Sequence, residues 1–342
     1  MFERYPTAMQ SVYLDLQSRH LQQRVNELGG SPVLREVRGK KFWYAQIAIK
    51  GRKVQRYIGP DDAGTREIIE HARSAEADAR KIRQSNRTLV RQLVSMGAPR
   101  LEPNPGAVLR AMAQVGVFRL GGTLVGTHAF RLYALELGVP LRSLAEPTQD
   151  VDIAAFQRLS LAIGDRIDPS LGEALGALGL EAAPSLDPLH PTKWVTKGGG
   201  ADVEFLSPSF TEQEGPVRLE VFDGWAQSLH YLNYLIAEPI PAVALYLDGI
   251  LAQIPRPERY AIHKLIVAQR RSRPNRPKAR KDLDQAHDLI EVLAVDRPFD
   301  LEDAYLTAME RGPKWRRLIA ASLKQRPDIK TKLAFGEIVN VS

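Results

Sequence analysis

Cysteine is absent from the 342-residue chain, which excludes disulfide scaffolds, cysteine-ligated zinc, iron–sulfur clusters and thiol catalysis. The seven histidines show neither HxxxH nor HExxH spacing, which argues against a zinc site. The chain has no run of about 18 uncharged apolar residues, and its charged beginning lacks the apolar segment of a signal peptide. We therefore expect a cytoplasmic protein with no membrane partner.

Charge of both signs is plentiful but unevenly placed. The chain has 47 Lys and Arg against 40 Asp and Glu, a net charge of +7. Residues 256–281 include ten basic residues and one acid, and residues 35–56 include eight basic residues and one acid. Two basic stretches on a chain that is otherwise net acidic favour a polyanionic partner such as nucleic acid, or at least phosphate groups. The alternative is that both stretches are solvated surface faces.

The first part of the chain predicts a helix followed by a β-hairpin. Apolar residues at helical spacing indicate a helix over 8–28, and two runs rich in aromatic and β-branched residues, 42–49 and 54–58, indicate the hairpin. Because the hairpin is both basic and aromatic, it either lies on nucleic acid or forms a small sheet that packs against the helix.

A long polar helix is predicted from residue 61 to about 96, and prolines at 99, 103 and 105 indicate a boundary after it. The length of the chain also favours several domains. The predicted units are an N-terminal helix with a basic β-hairpin (1–60), a long helical arm (61–98), a central core (99–238) and a C-terminal helical domain (239–342).

Two acidic strands lie in the central core. In the predicted strand 150–154, Asp150 and Asp152 share one face, while the residues between them face a core. A second strand, 201–206, carries Asp202 and Glu204 at the same spacing. Carboxylates placed side by side repel each other, and Mg²⁺ is the natural hard-oxygen-binding cation to compensate them. An acid-x-acid triplet alone is weak evidence, since it also occurs at solvated strand edges.

The order of a Gly-rich turn, a helix, a strand with two acids and a later strand with a third acid resembles the nucleotidyltransferase fold of the DNA polymerase β-like superfamily. The resemblance covers about 106–290. The chain resembles bacterial proteins of this fold, including the nucleotidyltransferase-type toxins of toxin–antitoxin systems. It implies an α+β fold: a mixed sheet with flanking helices, preceded by the hairpin module with its long helix and followed by a C-terminal helical domain.

The resemblance also implies roles for particular residues. Gly126 and Thr127 match the turn whose backbone N–H groups hold the nucleotide phosphates, and Gly121-Gly122 is a competing candidate. His128 follows that turn and is a candidate contact for a phosphate or a base, or else an ordinary histidine at the start of a helix.

The same resemblance assigns the metal ligands and the cations. Asp150 and Asp152 match the metal-binding pair, and Glu204 matches the third carboxylate, where the family usually has Asp. Lys264 matches the cation that meets the triphosphate. Lys281 is a second phosphate contact, with Asp282 as its orienting partner. The alternative for each lysine is that it is simply exposed on a helix.

The implied function is Mg²⁺-dependent transfer of a nucleotidyl group from a nucleoside triphosphate, ATP included, to a hydroxyl acceptor. Two Mg²⁺ ions about 3.5–4 Å apart would act in it. The basic stretches favour RNA as the acceptor. Two rival functions remain open: a nucleic-acid-binding protein that retains the fold without catalysis, and a toxin–antitoxin component or scaffold whose arm mediates assembly, with a cognate antitoxin as partner.

Overall fold

The structure is a computed structural model that describes residues 2–23, 31–37, 39–49, 52–144, 148–157, 167, 170–185, 187–196, 200–211, 213–272 and 275–333. Its helices, in chain order, are α1 Thr7–Gln23, α2 Ala63–Ser95, α3 Pro103–Gln114, α4 Gly126–Glu136, α5 Leu171–Ala177, α6 Leu232–Leu235, α7 Pro257–Arg270, α8 Arg276–Asp296, α9 Pro298–Glu310, α10 Pro313–Gln325 and α11 Pro327–Lys332. Its strands are β1 Ser31–Val37, β2 Lys40–Ile49, β3 Arg52–Pro60, β4 Thr123–Val125, β5 Asp150–Ala154, β6 Leu180–Ala182, β7 Lys193–Thr196, β8 Asp202–Pro208, β9 Pro216–Leu219, β10 Gly224–Leu229, β11 Ile240–Ala244 and β12 Ile250–Ile254.

The N-terminal module is a three-stranded antiparallel sheet in the order β1-β2-β3, with α1 before it and α2 after it. The predicted hairpin is confirmed as β2 and β3. Strand β1 is an addition, because its mostly exposed residues lack the apolar alternation that indicates a strand. Helix α1 ends at Gln23, and the rest of the predicted helix, 24–30, lies outside the described residues.

The central sheet places the two acidic strands side by side. Its main path runs β4-β5-β8-β10-β9, with β5 and β8 parallel, while β7 pairs with the beginning of β8 and β6 pairs with β7. The apolar residues between the acids are fully buried, as alternation along a strand requires: Val151, Ile153, Val203 and Phe205. The sequence-based prediction of both strands and of their core-facing residues is therefore confirmed.

Helices cover the sheet and close the molecule. Helices α3 and α4 contact β5, and α7 packs along α8. One large apolar core joins the sheet to the C-terminal helices, and a smaller core joins α1 to the end of α2 through Met9, Tyr13 and Leu93. The α+β class with an N-terminal hairpin module and a C-terminal helical region is confirmed. No described helix has both the length and the apolar character needed to span a membrane.

The C-terminal region differs from its prediction at its beginning. The predicted C-terminal helical domain, 239–342, instead begins with the antiparallel pair β11 and β12. Ala242, Val243 and Ile250 are buried there, and β-branched side chains suit a buried strand better than a helix. Helix α7 then begins at Pro257, where the missing N–H of proline costs no helical hydrogen bond.

Candidate functional site

The acidic residues of β5 and β8 lie side by side in register. Asp150 pairs with Asp202 and Asp152 pairs with Glu204 across the parallel β5–β8 pair. Alternation puts all four side chains on the same face of the sheet, opposite the buried apolar residues. The fold thus gathers four carboxylates on two adjacent strands.

A lysine from the neighbouring strand β7 lies beside these four carboxylates. Lys193 on β7 pairs with Glu204 in register, and its Nζ lies 3.2 Å from an Asp202 carboxylate oxygen. Burial alone would lower the pKa of Lys193, but its hydrogen bond to Asp202 and the nearby charges of Asp150 and Glu204 together raise it. Lys193 therefore stays protonated and balances part of the negative charge.

The pKa of Asp152 reflects its burial and the repulsion that remains between the carboxylates. Burial, followed by the charges of Glu204 and Asp150, raises that pKa from 3.8 to about 6. Burial also raises the pKa of Glu204, where Lys193 opposes the effect and Asp150 adds to it. A carboxyl group whose pKa is raised towards neutral pH by burial and like charges is common in catalytic and metal-binding sites.

The Gly126-Thr127 turn lies directly against Asp152. Helix α4 begins at Gly126, immediately after β4, whose last residue Val125 pairs with Asp152. Gly126 has φ +65°, and a Cβ there would overlap Asp152 Oδ2. Only glycine meets both demands without strain. Within the described residues no side chain caps the start of α4, so its first N–H groups remain donors for an anion.

Tyr260 fixes this turn from the opposite side. Its hydroxyl donates to the Gly126 carbonyl at 2.9 Å and lies 3.3 Å from Gln285 Oε1. The ring is fully buried and stacks near Phe130 of α4. Tyr260 therefore ties the beginning of α4 to α7 and α8.

The wall opposite the sheet is basic and comes from α7, α8 and the residues between them. Lys264 Nζ donates to Asp282 Oδ1 at 2.6 Å, and Arg271 Nε donates to Asp282 Oδ2 at 2.9 Å. Burial alone would raise the pKa of Asp282, but Lys264 and Arg271 outweigh it and hold the pKa below its ordinary value. Asp282 thus stays ionised and fixes both cations.

These two walls enclose a cavity of about 320 Å³, a size typical of small-ligand sites. Four neutral residues line it: Gly126, Thr127, Thr148 and Gln285. Five carboxylates line it: Asp150, Asp152, Asp202, Glu204 and Asp282. Five cations complete it: Lys193, Lys264, Arg271, Lys278 and Lys281. The formal charge is therefore zero, but most of the acids are on the strands and most of the cations are on the helices.

The carboxylates suit a divalent cation by their chemistry. Hard oxygen donors are what Mg²⁺ prefers. Burial and then like charges raise the pKa of Asp152, and a bound cation would relieve the repulsion between those charges. Among the described residues, no group of three or more His, Cys, Asp or Glu side chains is already arranged to hold a metal. Asp150, Asp152 and Glu204 therefore offer suitable ligands in one cavity without forming a closed ligand set.

The structure brings together most of the candidate residues. Gly126, Thr127, Lys264 and Lys281 line the cavity with the three carboxylates, whereas the competing turn Gly121-Gly122 does not.

His128 is also absent from the lining. Its side chain is fully buried, and neither ring nitrogen has a hydrogen-bond partner among the described residues. Burial, followed by the charge of Arg131, lowers its pKa to about 4. His128 therefore lies on the face of α4 that packs into the core, which fits an ordinary histidine at the start of a helix rather than a contact for a phosphate or a base.

Sequence reasoning missed several lining residues. Arg271 and Lys278 belong to the basic stretch 256–281, but a charge run does not indicate which members face a cavity. Thr148 and Gln285 carry no sequence signal, because only the folded chain brings them beside the acids.

A family model described as nucleotidyltransferase matches residues 104–310. The matched region runs from the first turn of α3 to the end of α9 and includes every residue that lines the cavity. No curated protein and no solved structure matches the chain. The N-terminal sheet and α2 lie outside the matched region.

Proposed function

The chain belongs to the nucleotidyltransferase family, and from that premise we propose that it transfers a nucleotidyl group from a nucleoside triphosphate to a hydroxyl acceptor, dependent on Mg²⁺. The observation that carries the proposal is the register of β5 and β8, which sets Asp152 beside Glu204 and Asp150 beside Asp202. The Gly126 turn and the basic wall close the same cavity.

Asp150, Asp152 and Glu204 are the proposed ligands of two Mg²⁺ ions. When bound, such a pair of ions lowers the pKa of the acceptor hydroxyl and stabilises the charge of the leaving pyrophosphate. With two divalent cations the cavity would change from neutral to a formal charge of about +4. That charge is opposite to the charge of a triphosphate and balances it.

The triphosphate is proposed to lie between the start of α4 and the basic wall. The N–H groups of the first turn, at Gly126 and Thr127, donate to phosphate oxygens, since a helix N-terminus favours anions. Lys264 and Lys281 contact the phosphates from the other side. Asp282 positions Lys264 for this task through their 2.6 Å hydrogen bond.

The chemistry is a displacement at the α-phosphorus. The acceptor oxygen forms a bond to that phosphorus, the bond from it to the bridging oxygen of the β-phosphate breaks, and pyrophosphate leaves with the electron pair. We place Glu204, which lies beside Asp152 in the register of the two strands, as the base that takes the acceptor proton. Lys264 neutralises charge that develops on the leaving oxygens.

RNA is the acceptor that the basic stretches favour, through charge alone. A role as a toxin, a cognate antitoxin and the use of ATP stay predictions from the resemblance.

The test is label transfer. Full-length protein is incubated with each α-³²P-labelled nucleoside triphosphate and MgCl₂, with total RNA, protein lysate or a small-molecule pool as acceptor. We expect Mg²⁺-dependent labelling that Asp152→Asn abolishes and that the exposed-acid control Asp303→Asn retains. Absence of label in every combination, or equal labelling by Asp152→Asn, would contradict the proposal.

A further inference from the structure

One face of the N-terminal sheet displays a cluster of aromatic rings. Tyr44 and Tyr57 are directly paired across β2 and β3, and Phe42 lies on the same face, two residues before Tyr44. Ring centroids are 5.7 Å apart for Tyr44 and Tyr57, and 6.1 Å apart for Phe42 and Tyr57. Tyr57 is 49% exposed. Phe42 and Tyr44 are half-buried. Clustered rings on a partly exposed strand face are typical of a surface on which bases stack.

The opposite face of the same sheet is the packed one. Trp43, Ala45 and Ile49 are buried there, and the Trp43 indole donates to an Asp61 carboxylate oxygen at 2.9 Å. A Cβ at Gly59 would overlap the Thr65 hydroxyl of α2, so α2 covers this side closely. The aromatic face is therefore the solvent side of a sheet whose other side is anchored.

Basic side chains surround the rings. Arg35 of β1 pairs with Phe42 in register, and alternation puts Lys40 and Lys53 on the same face. All three are exposed. The sequences of the three strands contain a single acid, Glu36, and alternation places it on the opposite face. The aromatic face thus combines stacking surfaces with positive charge and carries no carboxylate of its own strands.

We infer that this face, formed by Phe42, Tyr44 and Tyr57 with Arg35, Lys40 and Lys53 around them, binds single-stranded nucleic acid. Unpaired bases stack on the tyrosine and phenylalanine rings, and the three cations contact the phosphate backbone. Duplex nucleic acid hides the faces of its bases, so the surface selects single strands. RNA and DNA share the required chemistry, and the test below distinguishes them.

The surface is a binding site separate from the cavity. It lies outside the region that matches the nucleotidyltransferase family, and its strands touch the core at α5, where Arg52 donates to the Gly176 carbonyl at 2.7 Å. Binding at this face does not depend on the proposed catalysis. It supplies a way for a nucleic-acid acceptor to be held by the same molecule.

The test measures fluorescence anisotropy of labelled oligonucleotides of about 12 nucleotides, within the usual site sizes of single-strand binders, with the full-length protein. Single-stranded RNA, single-stranded DNA and duplexes of the same sequence are compared. We expect binding of a single strand, with duplex at least about tenfold weaker. RNA tighter than DNA would identify RNA as the ligand, and the reverse would identify DNA.

Variants then locate the binding face. Tyr57→Ala is expected to weaken binding by at least about fivefold, the low end for loss of one stacked base, whereas Tyr57→Phe keeps the ring and the affinity. Leu34→Ala is the matched control, since Leu34 is 40% exposed on the opposite face of the same sheet.

Charge is tested in the same way. Lys53→Gln should reduce the slope of log affinity against log salt by about 0.7, while Lys41→Gln, on the opposite face, should leave it unchanged. Asp152→Asn, inactive under the proposed function, should bind as the wild type does, which separates failure of this inference from failure of catalysis. Absence of single-strand binding, preference for duplex, or equal losses in Tyr57→Ala and Leu34→Ala would overturn the inference.

Discussion

Replacing Asp152 with asparagine should stabilise the ligand-free protein at neutral pH while it removes activity. Burial, followed by Glu204 and Asp150, raises the pKa of Asp152 from 3.8 to about 6. A shift of this size corresponds to about 3 kcal/mol, and partial solvent access to the carboxylate reduces it to roughly 2 kcal/mol. Asparagine has nearly the same shape and no charge, so it escapes this cost.

The direction of the pH dependence follows from linkage. Because the pKa in the folded state is raised, the favourable contribution of the protonated group is fully present below pH 3.8 and is lost as the pH rises through about 6. The advantage of the asparagine variant is therefore largest above about pH 7, falls to about half near pH 5 and disappears below pH 4.

Thermal unfolding followed by circular dichroism checks this prediction. A difference of roughly 2 kcal/mol in a core of this size raises Tm by about 4–8 °C. Asp303→Asn on α9, which changes an exposed acid, should leave Tm within about 1 °C. An Asp152→Asn protein that is less stable than the wild type at pH 8, or an advantage that does not change with pH, would refute the reasoning.

Three further variants, two of them paired with a control variant, are expected to separate geometry from charge. Gly126→Ala, with φ +65° and a Cβ that would overlap the adjacent carboxylate, should lower stability by about 1–3 kcal/mol and abolish transfer. In urea unfolding, Gly176→Ala, a helical glycine with open space around it, should be neutral or stabilising by up to about 1 kcal/mol. Tyr260→Phe loses the 2.9 Å bond to the turn and should lower kcat by about tenfold at a stability cost of about 1 kcal/mol. Tyr133→Phe, which loses a similar 2.8 Å bond to a backbone carbonyl elsewhere, should match that cost with kcat unchanged. Lys264→Met leaves the buried Asp282 carboxylate with one cation fewer and should lower the free energy of unfolding by about 1–3 kcal/mol at pH 7. The loss should be smaller at pH 4, where Asp282 takes up a proton in the variant. Equal losses at both pH values would contradict this.

Local alternation made the acidic strands predictable. In Asp150–Ala154 the apolar residues at every second position had to face a core, so the bounds of β5 and the shared face of its two acids could be read from the sequence. The β2–β3 hairpin followed from similar local signals. The identity of Gly126 was predictable as a turn, but its close approach to Asp152 was not.

Contacts between distant segments could not be read in this way. The register that sets Asp152 beside Glu204 depends on how β5 and β8 pair across the intervening residues, which no local pattern encodes. Asp282 looked like a neighbour of Lys281, yet it binds Lys264 and Arg271, because the packing of α7 on α8 decides which side chains meet. The burial of the His128 side chain likewise depends on how α4 packs into the core.

The central claim is that Asp150, Asp152 and Glu204 hold divalent cations next to a bound triphosphate. The most direct measurement is a crystal structure with Mn²⁺ in place of Mg²⁺ and a non-hydrolysable nucleoside triphosphate, using the anomalous signal of manganese. We expect anomalous peaks between these carboxylates, with the phosphates reaching from the start of α4 towards Lys264. Manganese bound elsewhere, or a nucleotide outside this cavity, would contradict the claim.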